Sequence, residues 1–514
     1  MNAAPMHGVL EQAAVRFADR TAVRSGDRSW SFRDLDQLSN AFARHLAIRG
    51  AGPGDRVAVM LSNRAEFVSV VYGISKLGAA PVLLSPAWRA LEVAHALELT
   101  APGHAVVEGA AVSPLAAEMG PELVTDLEDG LTAEAAFGHS RSPIGPLDLD
   151  DASEAVLVFS SGTTGLPKAV RHTHSSIRCA TADWVTALGL GPDDRFQVAT
   201  PPSHILGLLN LLAAAAAGAT VRLHRRFDLD EVLDRIATER MTLEMAVAPI
   251  ALAMANHPEL ESFDLSSLRY IMWGATPVMP SVAEIVTRRT GVRWLAAYGA
   301  SELPVIAANP VGDPAGWRLD SAGLPPLGVE LRVADLETAE VLGPGQTGEI
   351  QARSPSVMAG YLPEEATAEA FADGWYRTGD VGWLEPEGWV HITDRSKEMI
   401  KVSGFQVAPA EVEGVLLRHP AVLDCAVFGV ADEQTGERPV AAVELDPAVP
   451  TSTDELKQLV AENLATYKAV SDVVVVDTIP RLPSGKVLRR TLQEAWVSPA
   501  DGAVDGAVDG EVVA

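Results

Sequence analysis

The sequence predicts an α/β fold: a large N-terminal domain of layered αβ sheets with a small β unit, then a smaller α+β C-terminal domain. Three observations predict it. Short apolar runs alternate with helix-period segments through most of the chain before Gly323. Near Gly323 the texture changes to short strand-like runs joined by Gly/Pro-rich turns, and after Asp394 it changes again. The 514 residues leave room for about three or four units of roughly 150 residues each. The expected boundaries are 1–396 for the N-terminal core, with its β-rich part at about 323–394, then 397–497, then a tail at 498–514.

Taken in order, Asp55–Leu61 (DRVAVML) and Ala80–Leu84 (APVLL) read as buried strands, and Glu66–Leu77 (EFVSVVYGISKL) between them has apolar residues at helical spacing. Strand–helix–strand alternation implies a mainly parallel sheet covered on both faces. The pattern recurs at Ala155–Phe159, Ser175–Leu188 and Phe196–Ala199, and again around Leu243–Ala248 and Leu268–Trp273. Ile205–Val221 carries no charge, but it contains Gly207, Asn210, Gly218 and weakly apolar alanines. It falls short of about 20 strongly apolar residues, so a buried helix is expected there and not a membrane span. Glu330–Val333, Glu349–Ala352 and Gly388–Thr393 are the strands expected of the small β unit. Beyond it, Val422–Val430 and Asp472–Thr478 read as strands, and Ser452–Ala465 as a helix opened by a capping box of Ser452 and Glu455. The tail repeats DGAV, carries acids without bases, and is expected to be disordered.

Forty basic against 68 acidic side chains give a net charge of −28, which argues against a nucleic-acid backbone binder but leaves room for a local anion site. Cys179 and Cys425 are the sole cysteines, so a disulfide scaffold or a thiolate-rich metal site is excluded, and a reducing cytoplasm fits. The start, MNAAPMHGVLEQ, has neither a basic n-region nor an apolar h-region, so no signal peptide is expected.

Two motifs mislead. Gly343–Gly348 (GPGQTG) matches the dinucleotide fingerprint, yet that motif needs a strand before it and a helix N-terminus after it. Here Glu349–Ala352 alternates like a strand, so a β-turn is expected. Residues 483–486 (PSGK) resemble the end of a P-loop, but the first glycine is missing and Val487 replaces the Mg-binding hydroxyl. No G-x-S-x-G or H-E-x-x-H occurs.

Ser160–Lys168 (SSGTTGLPK) sets four hydroxyls, two glycines and a lysine directly behind the apolar strand Val156–Phe159. Glycine lets backbone approach an anion, and hydroxyls with N–H groups wrap its oxygens, so Ser160, Ser161, Gly162, Thr163, Thr164 and Gly165 are expected to cradle a triphosphate. Lys168 would settle the loop or the phosphates. Four further segments follow: Tyr298–Glu302 (YGASE), Tyr376–Asp380 (YRTGD), Asp394–Gly404 (DRSKEMIKVSG) and Pro480–Arg490 (PRLPSGKVLRR). Together, and in this order, the five resemble the motifs of the adenylate-forming superfamily of acyl-CoA synthetases, non-ribosomal adenylation domains and beetle luciferases. Weaker echoes lie at Trp30–Leu35, Gly54–Asn63 and Gly78–Pro86.

The resemblance implies a two-step reaction: a carboxylate attacks the α-phosphorus of ATP to give acyl-AMP and pyrophosphate, then a thiol, usually coenzyme A, displaces AMP. Glu302 would supply a hard oxygen to Mg²⁺, Tyr298 a face for adenine, and Asp380 acceptors for the ribose hydroxyls. Gly274, Ala275, Thr276 and Pro277 resemble the adenine wall, Gly299 and Ser301 belong to the Tyr298 motif, and Arg395 resembles a ribose-contacting arginine. Lys486 is expected to offset charge at the forming acyl-phosphate bond. A mobile C-terminal domain would then turn about Lys397, bringing up Lys401 for thioester formation and Gly404 along the thiol path. His204 matches an active-site histidine near the acyl carboxylate. Trp184, Ser203, Met272, Trp273, Ala297 and Ala300 are candidates for the acyl pocket, and a bulky Trp273 argues for an aromatic or short acid over a long fatty acid. Ala169 replaces a usual glycine after Lys168.

The expected function is therefore an AMP-forming carboxylic acid–CoA ligase using ATP and Mg²⁺, cytoplasmic, a monomer or homodimer, with no membrane span and no nucleic-acid partner. The alternatives keep adenylation but pass the acyl group to a carrier-protein thiol or a nitrogen nucleophile, or make the chain a degenerate binding protein. Retained Lys486, Glu302, Asp380 and the glycine-rich loop weigh against the last.

Overall fold

Val57, Ala58, Val59 and Met60 are all buried, so the strand Arg56–Met60 is covered on both faces and shows no polar alternation. In the computed structural model, which describes residues 5–160, 167–276, 278–395, 398–402, 405–432, 435–482 and 485–496, that strand lies inside a seven-stranded sheet. The order is Gly360–Leu362, Lys168–Thr173, Glu154–Ser160, Ala80–Leu83, Arg56–Met60, His104–Val107, Val124–Asp126. From Glu154–Ser160 onward the pairs are parallel, and the first two strands run antiparallel. The helix Ala65–Lys76 makes the crossover between Arg56–Met60 and Ala80–Leu83, as the alternation predicts.

A second sheet joins Arg28–Ser31, Thr21–Ser25, Thr220–Leu223 and Arg195–Val198, the last three parallel. A third runs Leu243–Ala246, Tyr270–Trp273 and Trp294–Tyr298 in parallel, with Ala307–Ala308 antiparallel at its edge. The small β unit is an antiparallel sheet in the order Val341–Leu342, Glu330–Ala334, Gly348–Arg353, Trp375–Leu384, Phe371–Ala372, with Val390–Arg395 also on Trp375–Leu384. The chain forms two compact units, the larger through residue 397 and the smaller from Glu398 to Leu482 and again from Lys486. The smaller unit orders Phe405–Val407, Ile400–Val402, Gly436–Leu445 and Val422–Asp432, with Asp472–Val475 parallel to Gly436–Leu445. Its core gathers Ala426, Phe428, Val440, Ala442 and Ile479.

Three local expectations change. The uncharged run divides into the buried helix Ile205–Ala217 and the strand Thr220–Leu223, because Gly218 takes φ +76°, the left-handed cap that ends the helix. Among the described residues no helix is long and apolar enough to cross a membrane. The capping box at Ser452 is half formed: its hydroxyl accepts from Glu455 N at 3.2 Å, but the Glu455 carboxylate reaches Thr451 at 3.1 Å and His419 at 3.4 Å. The last strand of the β unit begins at Val390, not Gly388, which takes φ +91° in the preceding turn. Gly343–Gly348 is the expected turn, with Gln346 N donating to Gly343 O at 3.2 Å and a strand, Gly348–Arg353, following.

Candidate active site

Tyr270–Trp273 and Trp294–Tyr298 are parallel neighbours, so their carboxyl ends deliver the loops at Gly274–Thr276 and Tyr298–Glu302 side by side. This is the end of a parallel sheet where ligands are ordinarily held. Thr276 Oγ1 accepts from Ala248 N at 3.0 Å and from the Trp273 indole at 3.2 Å, which fixes the first loop. Ala275 stands at φ +63°, a conformation that a side chain other than glycine adopts at a cost. In the second loop a Cβ on Gly299 would collide with the Pro304 carbonyl oxygen, so only glycine fits there. Glu302 lies within this loop, and no helix follows it, which removes the ordinary role of a helix N-terminal carboxylate.

Two tyrosine–carboxylate pairs occupy the space below. The Tyr298 hydroxyl donates to Asp380, and the Tyr361 hydroxyl donates to Glu302 Oε1 at 2.6 Å. Asp380 and Glu302 are buried at 5% and 8% exposure, where a carboxylate without partners would be costly. Tyr376 completes the group. Its phenol is pushed well above the usual tyrosine range by burial first, then by Glu302, Tyr361, Tyr298 and Asp380. Lys168 Nζ stands 5.2 Å from the Tyr361 ring centroid, a cation–π contact. Ser160 and Lys168, the two ends of the expected phosphate loop, face each other in an antiparallel pair. His172 lies farther along the same strand; its Nε2 reaches Ser301 O at 2.8 Å and its Nδ1 reaches Ser176 Oγ at 3.2 Å. Burial lowers the His172 pKa to about 4, so the ring is neutral near pH 7, with Nε2–H donating to Ser301.

Tyr361, Tyr376 and His172 are the residues that sequence reasoning missed. A signal was present for two of them: the chain has only 6 tyrosines, and Tyr298, Tyr361 and Tyr376 are half of that small set. Mg²⁺ is commonly held by one or two carboxylates together with substrate phosphates, not by an all-protein cage. A buried Glu302, oriented by the same Tyr361 whose ring Lys168 overlies, fits that mode, and among the described residues no group of three or more His, Cys, Asp or Glu is arranged to hold a metal by itself.

Of the acyl-pocket candidates, Trp184, Met272, Ala297 and Ala300 belong to one apolar cluster, and the Trp184 indole donates to Asn210 Oδ1 at 2.8 Å. Strand alternation turns Trp273 to the face opposite Met272, against Trp294 at 5.1 Å between centroids. Trp273 therefore does not share a face with Met272. Ser203 is buried beside His204, whose Nδ1 accepts from Leu206 N at 3.3 Å and caps the following helix. Burial lowers the His204 pKa to about 4, leaving a neutral ring with its proton on Nε2.

In the smaller unit, Lys486 Nζ lies 3.3 Å from Glu398, which also pairs with Arg489 at 2.5 Å. Leu482 N donates to Lys486 O at 2.8 Å. Lys401 lies on Ile400–Val402, with its backbone N–H on Glu437 at 2.6 Å. The backbone of Arg395 stands opposite Asp380 in the β ladder. Ser161, Gly162, Thr163, Thr164, Gly165, Pro277, Lys397, Gly404 and the 498–514 tail lie outside the described residues, as does the side chain of Arg395.

Residues 10–362 match the AMP-binding enzyme family, and residues 411–486 match the AMP-binding enzyme C-terminal domain. The chain belongs to the AMP-binding enzyme family. This AMP-binding enzyme is 33% identical over 510 residues to a 4-coumarate–CoA ligase of Pinus taeda, covering 95% of this chain and 94% of that protein. The o-succinylbenzoate coenzyme A synthetase MenE of Bacillus subtilis, solved in complex with ATP and magnesium ion, superposes with a TM-score of 0.82 at 31% identity, covering 94% of this chain and 98% of the other. The amide bond synthetase McbA of Marinactinospora thermotolerans superposes with a TM-score of 0.85 at 29% identity, covering 96% and 100%. The superfamily and the fold class expected from the motifs are those found.

Proposed function

We propose that this AMP-binding enzyme is an AMP-forming carboxylic acid–CoA ligase whose acid is aromatic. The observation that carries the reading is the buried pairing of Tyr298 with Asp380 and of Tyr361 with Glu302, placed beside Lys168 at the carboxyl end of parallel strands. In the first step a carboxylate oxygen bonds to the α-phosphorus of ATP and the bond to pyrophosphate breaks. In the second, the CoA sulfur bonds to the acyl carbon, its thiol proton is lost, and AMP leaves.

Asp380 accepts from the ribose hydroxyls, and Tyr298, held by Asp380, offers its ring to adenine. When bound, Mg²⁺ neutralises charge on the phosphates, and Glu302 is the residue that would hold it. Lys168 adds positive charge nearby, and the neutral His204 offers an N–H to the acyl carboxylate. Lys486 serves adenylation, and rotation about Lys397 exchanges it for Lys401 and Gly404 in the thiol step. The aromatic assignment is supported by the 4-coumarate–CoA ligase similarity, not by Trp273.

ATP–pyrophosphate exchange across a panel of carboxylic acids, followed by product mass with and without CoA, tests the reading. Exchange with an aromatic acid and a CoA-dependent thioester are expected. Exchange without a thioester, but with an amide when an amine is supplied, would favour the acceptor named for McbA. No exchange with any acid would overturn the proposal.

A further inference from the structure

Far from the motifs, three arginines meet at one cavity. Thr21–Ser25, Thr220–Leu223 and Arg195–Val198 run parallel, and a cavity of about 180 Å³ is lined by Thr21, Thr220 and Arg195 at their amino-terminal ends, by Arg20 and Pro192 just before them, and by Arg24 farther along the first strand. That is more than ten times the roughly 10–15 Å³ that one water needs. Thr242 N donates to Arg195 O at 2.8 Å, so Leu243–Ala246 starts at the same level. Its parallel neighbours in turn lead to the Thr276 and Tyr298 loops at their opposite, carboxyl ends. The cavity and the nucleotide-side loops therefore lie at opposite ends of the strands.

Charge at the cavity is unbalanced. Glu239, 8% exposed, is the carboxylate shared by Arg24 at 3.2 Å, by Arg222 and by Arg235 at 3.7 Å. Arg235 also meets Glu231 at 3.8 Å. Among the described residues the Arg195 guanidinium meets the Glu239 backbone oxygen alone, at 3.1 Å. Arg20 pairs with Asp193 at 3.0 Å, but Asp193 is 95% exposed, and such surface pairs are weak and readily exchanged. Four guanidinium groups thus share three carboxylates, and Arg195 adds a fifth guanidinium with a backbone oxygen alone, in a chain whose net charge is −28. A guanidinium carries five N–H donors, and Arg24 and Arg195 each commit one in these contacts.

We infer that this cavity binds a phosphate-class oxyanion carrying at least two negative charges, of the size of pyrophosphate. A single guanidinium fork saturates a carboxylate, whereas Arg20 and Arg24 from one chain segment and Arg195 from another strand suit an anion with oxygens on several sides. Free pyrophosphate and the phosphates of a nucleotide share this chemistry.

The test is calorimetric titration of the full chain with pyrophosphate, and separately with ATP, in EDTA, comparing wild type with Arg24→Gln/Arg195→Gln. The double variant is expected to lose one binding event, or to weaken it by roughly tenfold or more, with ATP–pyrophosphate exchange within about twofold of wild type. A difference for pyrophosphate alone assigns the free anion, and a difference for ATP assigns a nucleotide. Arg20→Gln, which gives up the exposed contacts to Asp193 and the Pro192 carbonyl, keeps the test valid if the double variant misfolds, and should weaken the same event. Wild-type isotherms reproduced by Arg20→Gln and by any folded double variant would overturn the inference. Because the titration needs no acid substrate, its result is independent of the ligase reading.

Discussion

Removing the Tyr361 hydroxyl isolates what orients Glu302. Tyr361→Phe keeps the ring over Lys168 and deletes the single O–H that donates to Glu302 Oε1 at 2.6 Å. Both side chains are under a tenth exposed, so water replaces the lost donor poorly. A hydrogen bond to a charged group contributes about 1.5–3 kcal/mol, and the short distance places this one among charge-assisted bonds. At about 1.4 kcal/mol per tenfold, adenylation should fall by roughly 10- to 150-fold. If Glu302 holds Mg²⁺, the loss should also appear as a higher Mg²⁺ concentration at half-maximal rate. ATP–pyrophosphate exchange titrated with Mg²⁺ reads both, and a cooperative thermal transition checks the fold. An unchanged rate with unchanged Mg²⁺ dependence would refute the role given to this pair.

Other perturbations bear on stability and on the second half-reaction. Burial raises the Glu244 pKa from 4.5 to about 8, so its stabilising effect is complete below the unfolded value and is lost as pH rises through 8, by up to ~5 kcal/mol. Glu244→Gln should flatten the fall in urea midpoint between pH 5 and 8, and an unchanged slope would contradict this. His172 is opposite in sign: lowered from 6.5 to about 4, it contributes stability above its unfolded value that is lost as pH falls, by ~2 kcal/mol at about pH 5. His172→Gln should be less stable than wild type at neutral pH and should close that gap near pH 5; a constant difference would argue against a neutral buried ring. Lys397→Pro should slow thioester formation from acyl-AMP more than it slows adenylation, measured by rapid quench, and equal losses would count against a pivot there.

The candidate site could be proposed from the sequence because its motifs are local. Tyr298 through Glu302 is one loop, and Ser160 and Lys168 face each other in one antiparallel pair, so a short window carries each. The partners of these residues were not legible. Tyr361 reaches Glu302 across 59 residues, and nothing within the window around Glu302 announces it. Side-chain direction was also hidden. A run of four buried residues, Tyr270–Trp273, shows no polar alternation, so the observed packing is needed to tell which face Trp273 takes against Trp294 and which Met272 takes. In the fold, apolar runs located the parallel strands well, because such strands are apolar on both sides. The uncharged stretch through Gly218 failed as a single helix because composition is uniform across a turn that one backbone angle makes.

The central claim is that acid activation and thiol transfer use different groups of the smaller unit. Single-turnover kinetics of Lys486→Ala tests it most directly, with the two half-reactions measured apart. Acyl-AMP formation should fall by roughly 10²–10³ or more, while thioester formation from supplied acyl-AMP and CoA should remain close to wild type. Equal rates of acyl-AMP formation in variant and wild type, or matched losses in both halves, would contradict the account.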